Sequence, residues 1–196
     1  MSLAELTTHD FGTTWVIEES LSRASHALVD GGRVWLIDPV DDAEAMESVV
    51  TLGEPAAVVQ LLDRHNRDCA AVAVRLGVPH LSLPESLPDS PFQPFALVSW
   101  PFWKEVALWW PERQMLVVAE AVGTNRLFSV GAGPVGVHPM LRLLPPRRLG
   151  RYQPEHLLVG HGPPRHGIQT ADELAVALAR SRRDLPRLII TIPRLR

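Results

Sequence analysis

Short apolar runs alternate with polar turns and helix-forming segments along this chain of 196 residues, and this alternation limits the fold more than any other feature. Residues 58–62 form one such run, which is apolar except at Gln60 and is bounded by charged residues. A run of this length and composition fits a buried strand. The segment 68–76 that follows predicts a helix, which Gly77 and Pro79 end. Strands that alternate with helices predict a sheet covered by helices, in the α/β or α+β class.

β-branched and aromatic residues mark the other predicted strands. Two of them flank Asp30-Gly31-Gly32, whose glycines suit the positive φ angles of a tight hairpin turn. A turn at 111–114 separates another two. Together these strands occupy residues 13–17, 25–29, 33–37, 95–98, 106–110, 115–118 and 156–159.

Two further helices are predicted from capping signals. Asp41 with Glu44 predicts a helix that runs to about residue 51, and Thr170 with Glu173 predicts another near the carboxyl end. The tail at 188–192 predicts an edge strand or a partner-binding arm. No repeat or low-complexity tract divides the sequence, so we expect residues 1–196 to form a single domain.

Composition excludes several classes of function. The formal net charge is −3, so the whole chain carries no electrostatic signal for nucleic acid or an anionic membrane. Cys69 is the single cysteine, which excludes an intrachain disulfide. The first residues lack the basic and apolar regions of a signal peptide, and no apolar stretch approaches the ~18 residues of a membrane span. We therefore expect a cytoplasmic protein that binds neither nucleic acid nor membrane.

Polar residues follow three of the predicted strands at the point where each one ends. Residues 64–69 follow the first strand, Glu120 follows the strand at 115–118, and Gly160-His161-Gly162 follows the strand at 156–159. Polar groups at the ends of neighbouring strands converge in layered α/β folds, where sites commonly lie. The sequence therefore predicts a polar pocket at this edge.

The order of these elements resembles the metallo-β-lactamase superfamily over nearly the whole chain. Leu36-Ile37-Asp38-Pro39 is similar to the family's early strand end, and residues 157–163, LLVGHGP, are similar to its late Gly-His-Gly segment. Val117-Val118-Ala119-Glu120 is similar to the strand that ends in the family's bridging carboxylate. The resemblance implies a four-layer αββα sandwich.

The family's His-x-His-x-Asp-His motif is only partly present in this chain. By resemblance, its histidine positions hold Arg64, Asn66 and Cys69, while Asp68 retains the acid. The mid-chain ligand histidine falls on Pro101. The remaining two ligand positions hold Glu120 and His161.

The resemblance implies that the first of the family's two metal sites is lost. Arginine only donates hydrogen bonds, proline offers no side-chain donor atom, and asparagine is a poor zinc ligand. We therefore expect a non-catalytic, metal-free pocket without a cofactor, in which the Arg64 guanidinium neutralises the carboxylates of Asp68 and Glu120. The residues expected to line this pocket are Arg64, Asn66, Asp68, Glu120 and His161.

The alternative is a mononuclear zinc-dependent hydrolase that retains the second site. Its ligands would be Asp68, Cys69, Glu120 and His161, which together offer an O, S, O, N set for one zinc ion. The proximity of Arg64 argues against it, because two unit charges ~4 Å apart at an effective dielectric of ~20 interact by ~4 kcal/mol.

Several of these residues also have simpler structural interpretations. Asp68 is a candidate N-cap of the following helix. Cys69 is either a small buried apolar residue or a thiolate activated at the helix start. His65 is expected to point away from the pocket toward solvent. The partner of Glu120 is expected to be Arg64 or Arg126, because an unpaired buried carboxylate is costly.

Aromatic residues gather at Trp100, Phe102, Trp103, Trp109 and Trp110. They are expected to pack in the core and hairpin, or alternatively to form an aromatic wall over a ligand or a dimer face. A third class of function is thus a structural interaction protein that assembles through this hairpin and the tail. The expected partner is a small molecule or a protein, and a homodimer is one form of the latter.

Overall fold

The hairpin at Gly31-Gly32 lies within a mixed sheet of six strands, the first of two large sheets in the described part of the chain. The computed structural model describes residues 2–65 and 67–191. In sheet order, which is also chain order, the strands are β1 (Leu3–His9), β2 (Gly12–Ile17), β3 (Ala24–Asp30), β4 (Arg33–Ile37), β5 (Glu54–Gln60) and β6 (His80–Ser82). Neighbouring strands from β1 to β4 pair antiparallel, whereas β5 pairs in parallel with both β4 and β6.

The second large sheet contains five strands from the described residues. In chain order they are β7 (Gln93–Trp100), β8 (Trp103–Trp110), β9 (Met115–Val118), β12 (His156–Val159) and β13 (Arg165–His166). β9 and β12 run parallel, so their carboxyl ends lie side by side. A small pair, β10 (Val122–Gly123) and β11 (Gly136–Val137), follows β9.

Helices cover the outer faces of both sheets. The helices are α1 (Ala43–Leu52), α2 (Cys69–Leu76), α3 (Arg126–Ser129), α4 (Thr170–Arg180) and α5 (Leu185–Thr191). Buried residues of α1 and α2 pack on the first sheet around Trp15 and Leu36, and those of α4 join the larger hydrophobic cluster that includes the second sheet. The layers are therefore helix, sheet, sheet and helix, as the sequence predicted.

Helix starts depart from the sequence prediction at two places. Asp42, rather than Asp41, caps α1, because its carboxylate accepts a hydrogen bond from the amide of Ala45. Gln169 precedes α4 without a side-chain cap, so the capping box at Thr170 is wrong. Glu173 pairs with Arg165 instead, and that ion pair satisfies the carboxylate that the box would have used.

The tail forms α5 rather than the predicted edge strand, and residue 192 lies outside the described residues. Pro186 fits there because backbone N–H groups in the first turn of a helix have no hydrogen-bond acceptor within the helix, so the N–H that proline lacks is not needed. The aromatic hairpin divides between core and surface: Trp103 and Trp110 are buried, Trp109 is half-buried against Tyr152, and Phe102 is exposed.

The loop after β12 depends on two glycines. A Cβ at Gly160 would lie 2.2 Å from the carbonyl oxygen of Ala119, and Gly162 has φ +98°. Gly160 therefore lets this loop approach the end of β9 closely, and Gly162 lets it approach Thr124 and Asn125 after β10. No helix in the described residues has the length and apolar character that crossing a bilayer requires.

Candidate functional site

Three strand ends converge, as the polar residues of the sequence predicted, but they bring together a different set of side chains. His65 lies after β5, Glu120 after β9 and His161 after β12. One possible ligand atom from each of these residues lies within 4.8 Å of the other two. We call these three residues the His–Glu cluster.

His161 is held in a defined tautomer. Its Nδ1 lies 3.1 Å from the carbonyl oxygen of Leu21, which only accepts, so Nδ1 carries the proton. Nε2 therefore presents a lone pair to the cluster, where it lies 3.7 Å from Oε1 of Glu120. Burial lowers the pKa of His161 to about 4, and the nearby Arg67 charge adds to this effect. The ring is neutral at pH 7.

His65 points into the protein, so the prediction of a solvent-facing side chain is wrong. Its side chain is 9% exposed, and Nδ1 lies 3.4 Å from Oδ2 of the buried Asp38. A carboxylate beside Nδ1 favours the proton on that nitrogen and leaves the Nε2 lone pair free. Both ring nitrogens of His65 and Nε2 of His161 lack a hydrogen-bond partner among the described residues.

The two oxygens of Glu120 have different neighbours. Oε2 accepts a 3.0 Å hydrogen bond from Nη2 of Arg64, whereas Oε1 faces the histidines. Burial opposes ionisation, but the facing histidines and Arg64 outweigh it, so the pKa of Glu120 lies below its usual value. Arg64, rather than Arg126, is therefore the partner that this carboxylate finds.

Arg64 is anchored by aromatic and backbone groups as well as by Glu120. Its guanidinium carbon lies 3.9 Å from the ring centroid of Trp103, and Nη1 donates to the carbonyl oxygen of Phe102. The side chain is 37% exposed, so this cation borders the cluster on the solvent side.

Glu105 positions Glu120 through its backbone. Oε1 of Glu105 accepts hydrogen bonds from the amides of Glu120 and Ala121, and Oε2 accepts one from Nε1 of Trp103. Burial raises the pKa of Glu105 to about 7. The turn after β9 is thus clamped to β8 by a buried carboxyl group.

His138 borders the cluster in the opposite tautomer. Its Nδ1 accepts a hydrogen bond from the amide of Met140, so in the neutral ring the proton is on Nε2. Nε2 lies 3.9 Å from Oε1 of Glu120. Burial lowers the pKa of His138 to about 4. This ring therefore offers a hydrogen-bond donor, whereas His65 and His161 offer lone pairs.

Arg67 ties together the loops that carry the cluster. Its guanidinium donates to the carbonyl oxygens of Ala24, Asp38 and Gly160, the last at 2.7 Å. Gly160 directly precedes His161, and Asp38 contacts His65. A single half-buried cation thus fixes the backbone beside two of the three cluster residues.

Of the predicted pocket residues, the structure brings Arg64, Glu120 and His161 together. Asp68 is exposed and accepts a hydrogen bond from the amide of Asp41, so Arg64 does not pair with it as we expected. Asp68 occupies the N-cap position of α2 without a side-chain cap bond. Asn66 lies outside the described residues.

Cys69 is 1% exposed and packs in the core between the first sheet and its helices. This burial is typical of a structural cysteine rather than a reactive thiolate, and it raises the pKa of the thiol to about 12. Of the alternative zinc set, only Glu120 and His161 belong to the group of possible ligands that the described residues form. Pro101 lies in the turn between β7 and β8.

The His–Glu cluster has the donor chemistry of a metal centre. Two imidazoles and one carboxylate form a common ligand set for catalytic zinc and for non-haem iron. The unpartnered Nε2 atoms of His65 and His161 are the groups that such an ion would satisfy. A carboxylate and a carbonyl orient the two rings from behind, as outer partners of metal-bound histidines do. The residues present therefore fit a single divalent ion.

Sequence reasoning missed His65, His138, Glu105 and Arg67. His65 and Arg67 lie inside the polar turn at residues 64–69, but the directions of their side chains depend on Asp38 and Gly160, which are distant in sequence. The sequence signal for Glu105 was its position within the mostly apolar segment that forms β8, because a carboxylate buried there requires hydrogen-bond partners. Nothing in the sequence around His138 marks it.

Comparison with solved structures finds metallo-β-lactamases. The chain is similar to DIM-1 metallo-β-lactamase exposed to ceftazidime, with 14% identity, a TM-score of 0.61, and 92% of this chain and 100% of that chain covered. It is similar to a metallo-β-lactamase from Erythrobacter litoralis, with 12% identity, a TM-score of 0.59, and 94% and 93% covered. It is also similar to VMB-1 at pH 5.5, with 8% identity, a TM-score of 0.57, and 91% of this chain and 97% of that chain covered.

Neither family models nor curated proteins match this sequence. The likeness to the solved structures covers nearly the full length of both chains, although few residues are identical. It therefore shows the fold, and the chemistry of the site has to be argued from this chain's own residues.

Proposed function

We propose that this chain, which has the metallo-β-lactamase fold, is a mononuclear metal-dependent hydrolase whose single divalent ion is held by His65, Glu120 and His161. The observation that carries the proposal is the pair of oriented imidazoles beside a carboxylate, with buried nitrogens that have no partner among the described residues. The ligand set differs from the one that the motif alignment suggested, since His65 replaces Asp68 and Cys69.

A divalent ion at this position would polarise a substrate oxygen and lower the pKa of a bound water. The chain's own side chains and backbone groups orient the three ligands. The carbonyl of Leu21 holds the proton on Nδ1 of His161 by a hydrogen bond, and the negative charge of Asp38, 3.4 Å away, favours the proton on Nδ1 of His65. Both rings therefore keep their Nε2 lone pairs toward the cluster. Glu105 holds the backbone of Glu120.

Two donors border the cluster and are placed to bind substrate oxygens. The Nε2 proton of His138 lies beside Oε1 of Glu120, and the Arg64 guanidinium lies beside Oε2. Arg64 retains donors on its exposed side and stacks on Trp103, so it suits an anionic or carbonyl group. The substrate proposed on this basis is an ester, amide or phosphoester with an anionic group.

A metal-free binding pocket is the second candidate, and one observation favours it. The 3.0 Å contact between Arg64 and Glu120 already supplies the carboxylate with a positive partner. In that case the cluster would bind a small polar ligand without catalysis, as the sequence predicted.

Metal content separates the two candidates. We would treat the purified chain with a chelator, titrate Zn²⁺ against a chromophoric competitor, and repeat the titration with His65→Gln and His161→Gln. The expected result is a site that loses at least about 100-fold in affinity in each variant. His80→Gln, which removes an exposed histidine bonded to Gln60, is the matched control.

The hydrolase proposal also requires that the chain hydrolyse a substrate. Chromogenic lactam, carboxylic ester and phosphodiester probes would be tested with and without Zn²⁺. Turnover that requires Zn²⁺ and is abolished in His161→Gln supports the proposal. Zinc affinity equal in the parent and both cluster variants would exclude the ligand assignment, and would leave the metal-free pocket as the better account.

A further inference from the structure

The chain between β9 and β12 is locally basic. Residues 121–154 contain five arginines and no aspartate or glutamate, although the whole chain has a formal net charge of −3. Arg142 is buried and donates to backbone carbonyls. Arg147, Arg148 and Arg151 are exposed. The expectation that no membrane is bound depended on the charge of the whole chain, which averages over this local excess of positive charge.

Large apolar side chains are exposed in the same segment. Met140, Leu143 and Leu144 are 59%, 62% and 65% exposed. Leu144 and Trp100 line one cavity of about 230 Å³, so the segment lies against the end of β7. Phe102, in the turn between β7 and β8, is 61% exposed, and its ring centroid lies 5.5 Å from that of Trp100. The turn and the segment therefore share an apolar patch, and such patches commonly mark interaction surfaces.

Cations lie directly beside this patch. Nη1 of Arg148 donates to the carbonyl oxygen of Ala96 on β7 at 2.9 Å. Nε of Arg182 donates to the carbonyl oxygen of Leu143 at 3.0 Å. Arg147 and Arg148 form no ion pair within residues 2–65 and 67–191, so their charges are not neutralised by a carboxylate there. We call Trp100–Phe102 together with residues 140–151 the Leu–Arg surface.

The charge of the Leu–Arg surface indicates what it can bind. In a symmetric dimer of this chain the same surface would face its own copy, and the arginines would oppose one another. Like charges brought together in this way are costly, so an anionic partner fits better. Guanidinium groups match the geometry of phosphate oxygens. Leucine, phenylalanine and tryptophan beside arginine are typical of segments that lie at a membrane interface.

We propose that the Leu–Arg surface docks on an anionic lipid bilayer. The exposed apolar side chains would enter the headgroup region, and the arginines would bind lipid phosphates. Phe102 accepts a hydrogen bond from Arg64, and Met140 donates one to His138, so the docked surface lies beside the His–Glu cluster. The docking itself depends neither on a metal ion nor on the proposed hydrolase activity.

Vesicle flotation of the full chain tests the proposal. One set of vesicles contains phosphatidylcholine alone, and the other contains equal parts of phosphatidylcholine and phosphatidylglycerol. We expect binding to the mixed vesicles to be at least about 10-fold tighter than to the neutral ones. Raising the salt to ~0.5 M NaCl should release the protein, because the charges of the arginines and the lipids are then screened.

Two double variants separate the apolar and charged contributions. Leu143→Ser with Leu144→Ser removes apolar side chains, and Arg147→Gln with Arg151→Gln removes two charges. Each pair of substitutions should weaken binding to the mixed vesicles at least about 10-fold. All four side chains are exposed, so circular dichroism should show an unchanged fold.

Matched controls alter the same chemistry at the first sheet and its helices. Val74→Ser removes an exposed apolar side chain of α2. Arg33→Gln with Arg75→Gln removes two exposed charges, so the net charge changes by the same amount as in the surface variant. Both controls should bind the mixed vesicles as tightly as the parent.

Four outcomes would overturn the proposal. They are a parent that does not bind mixed vesicles, equal binding to both kinds of vesicle, surface variants that bind as the parent does, and controls that lose as much affinity as the surface variants. Sedimentation velocity without vesicles examines the other occupant. A parent dimer that dissociates in Leu143→Ser with Leu144→Ser would assign the surface to a second copy instead. The dependence of the parent on lipid charge tests the proposal even where a variant fails to fold.

Discussion

Arg64 and Glu120 form an ion pair in which Nη2 lies 3.0 Å from only one of the two carboxylate oxygens, Oε2. The other oxygen, Oε1, remains directed toward His161 and His138. The pair therefore leaves one carboxylate oxygen for the His–Glu cluster. Arg64 lies at the border of the cluster, and for the proposed metal site its positive charge would lower the affinity for a cation without occupying Oε1.

Replacement of Arg64 by Met should strengthen Zn²⁺ binding by about 10-fold, because a positive charge next to the ion is removed. The guanidinium is 37% exposed, so solvent screening keeps the effect well below the full Coulomb value. The measurement is competitive Zn²⁺ titration at low salt. Arg147→Met removes a remote exposed charge and serves as control. Weaker binding in Arg64→Met would show that the guanidinium orders Glu120 for the metal.

Arg67→Met should lower the free energy of unfolding by about 3 kcal/mol, because the carbonyls of Ala24, Asp38 and Gly160 lose a charged donor. Urea denaturation would measure the loss. Arg75→Met, which removes an exposed ion pair with Asp41, should cost less than about 1 kcal/mol. Equal losses in the two variants would contradict the role of Arg67 as an internal tie.

Glu105→Gln should destabilise the protein by about 1–3 kcal/mol, because the amide has one acceptor oxygen for three N–H donors. The oxygen is expected to keep the two backbone amides and to leave the amide nitrogen facing Nε1 of Trp103. The substitution Trp103→Phe removes that donor. A double-mutant cycle should therefore show that Glu105→Gln costs less when Trp103→Phe is already present, and additive losses would exclude the contact.

His26 should make the protein less stable in acid. Burial lowers its pKa to about 3, whereas an unfolded histidine titrates near 6.5. As the pH falls below 6.5, the unfolded chain therefore binds a proton that the native chain does not. Stability then falls by up to about 1.4 kcal/mol per pH unit until the pH approaches 3.

The His26→Gln variant tests this assignment. Gln can keep the contacts with Thr14 and the carbonyl of Val159, but it does not titrate. The free energy of unfolding between pH 4 and 7 should depend less steeply on pH in this variant, by about one proton. His80→Gln, which also lacks one histidine, is the reference. An unchanged slope in His26→Gln would assign the acid sensitivity to the other buried histidines.

Local patterns along the chain predicted most of the architecture. The hairpin at Gly31-Gly32, the helix ended by Gly77, and the strands before Glu120 and His161 all depend on interactions between near neighbours, which a sequence displays. β1 was missed, because only its pairing with β2 makes a strand of that partly polar segment. The cap of α1 was misplaced by one residue, since Asp41 and Asp42 offer equivalent side chains.

The candidate site was only partly predictable. The sequence determined that polar groups follow the ends of three strands. Only the tertiary structure decided that His65 turns inward, because its direction depends on Asp38, and that Cys69 is buried in the core. The tautomers of His161 and His138 depend on the distant carbonyl of Leu21 and the amide of Met140. Hydrogen-bond partners brought close only by folding decide which nitrogen presents a lone pair.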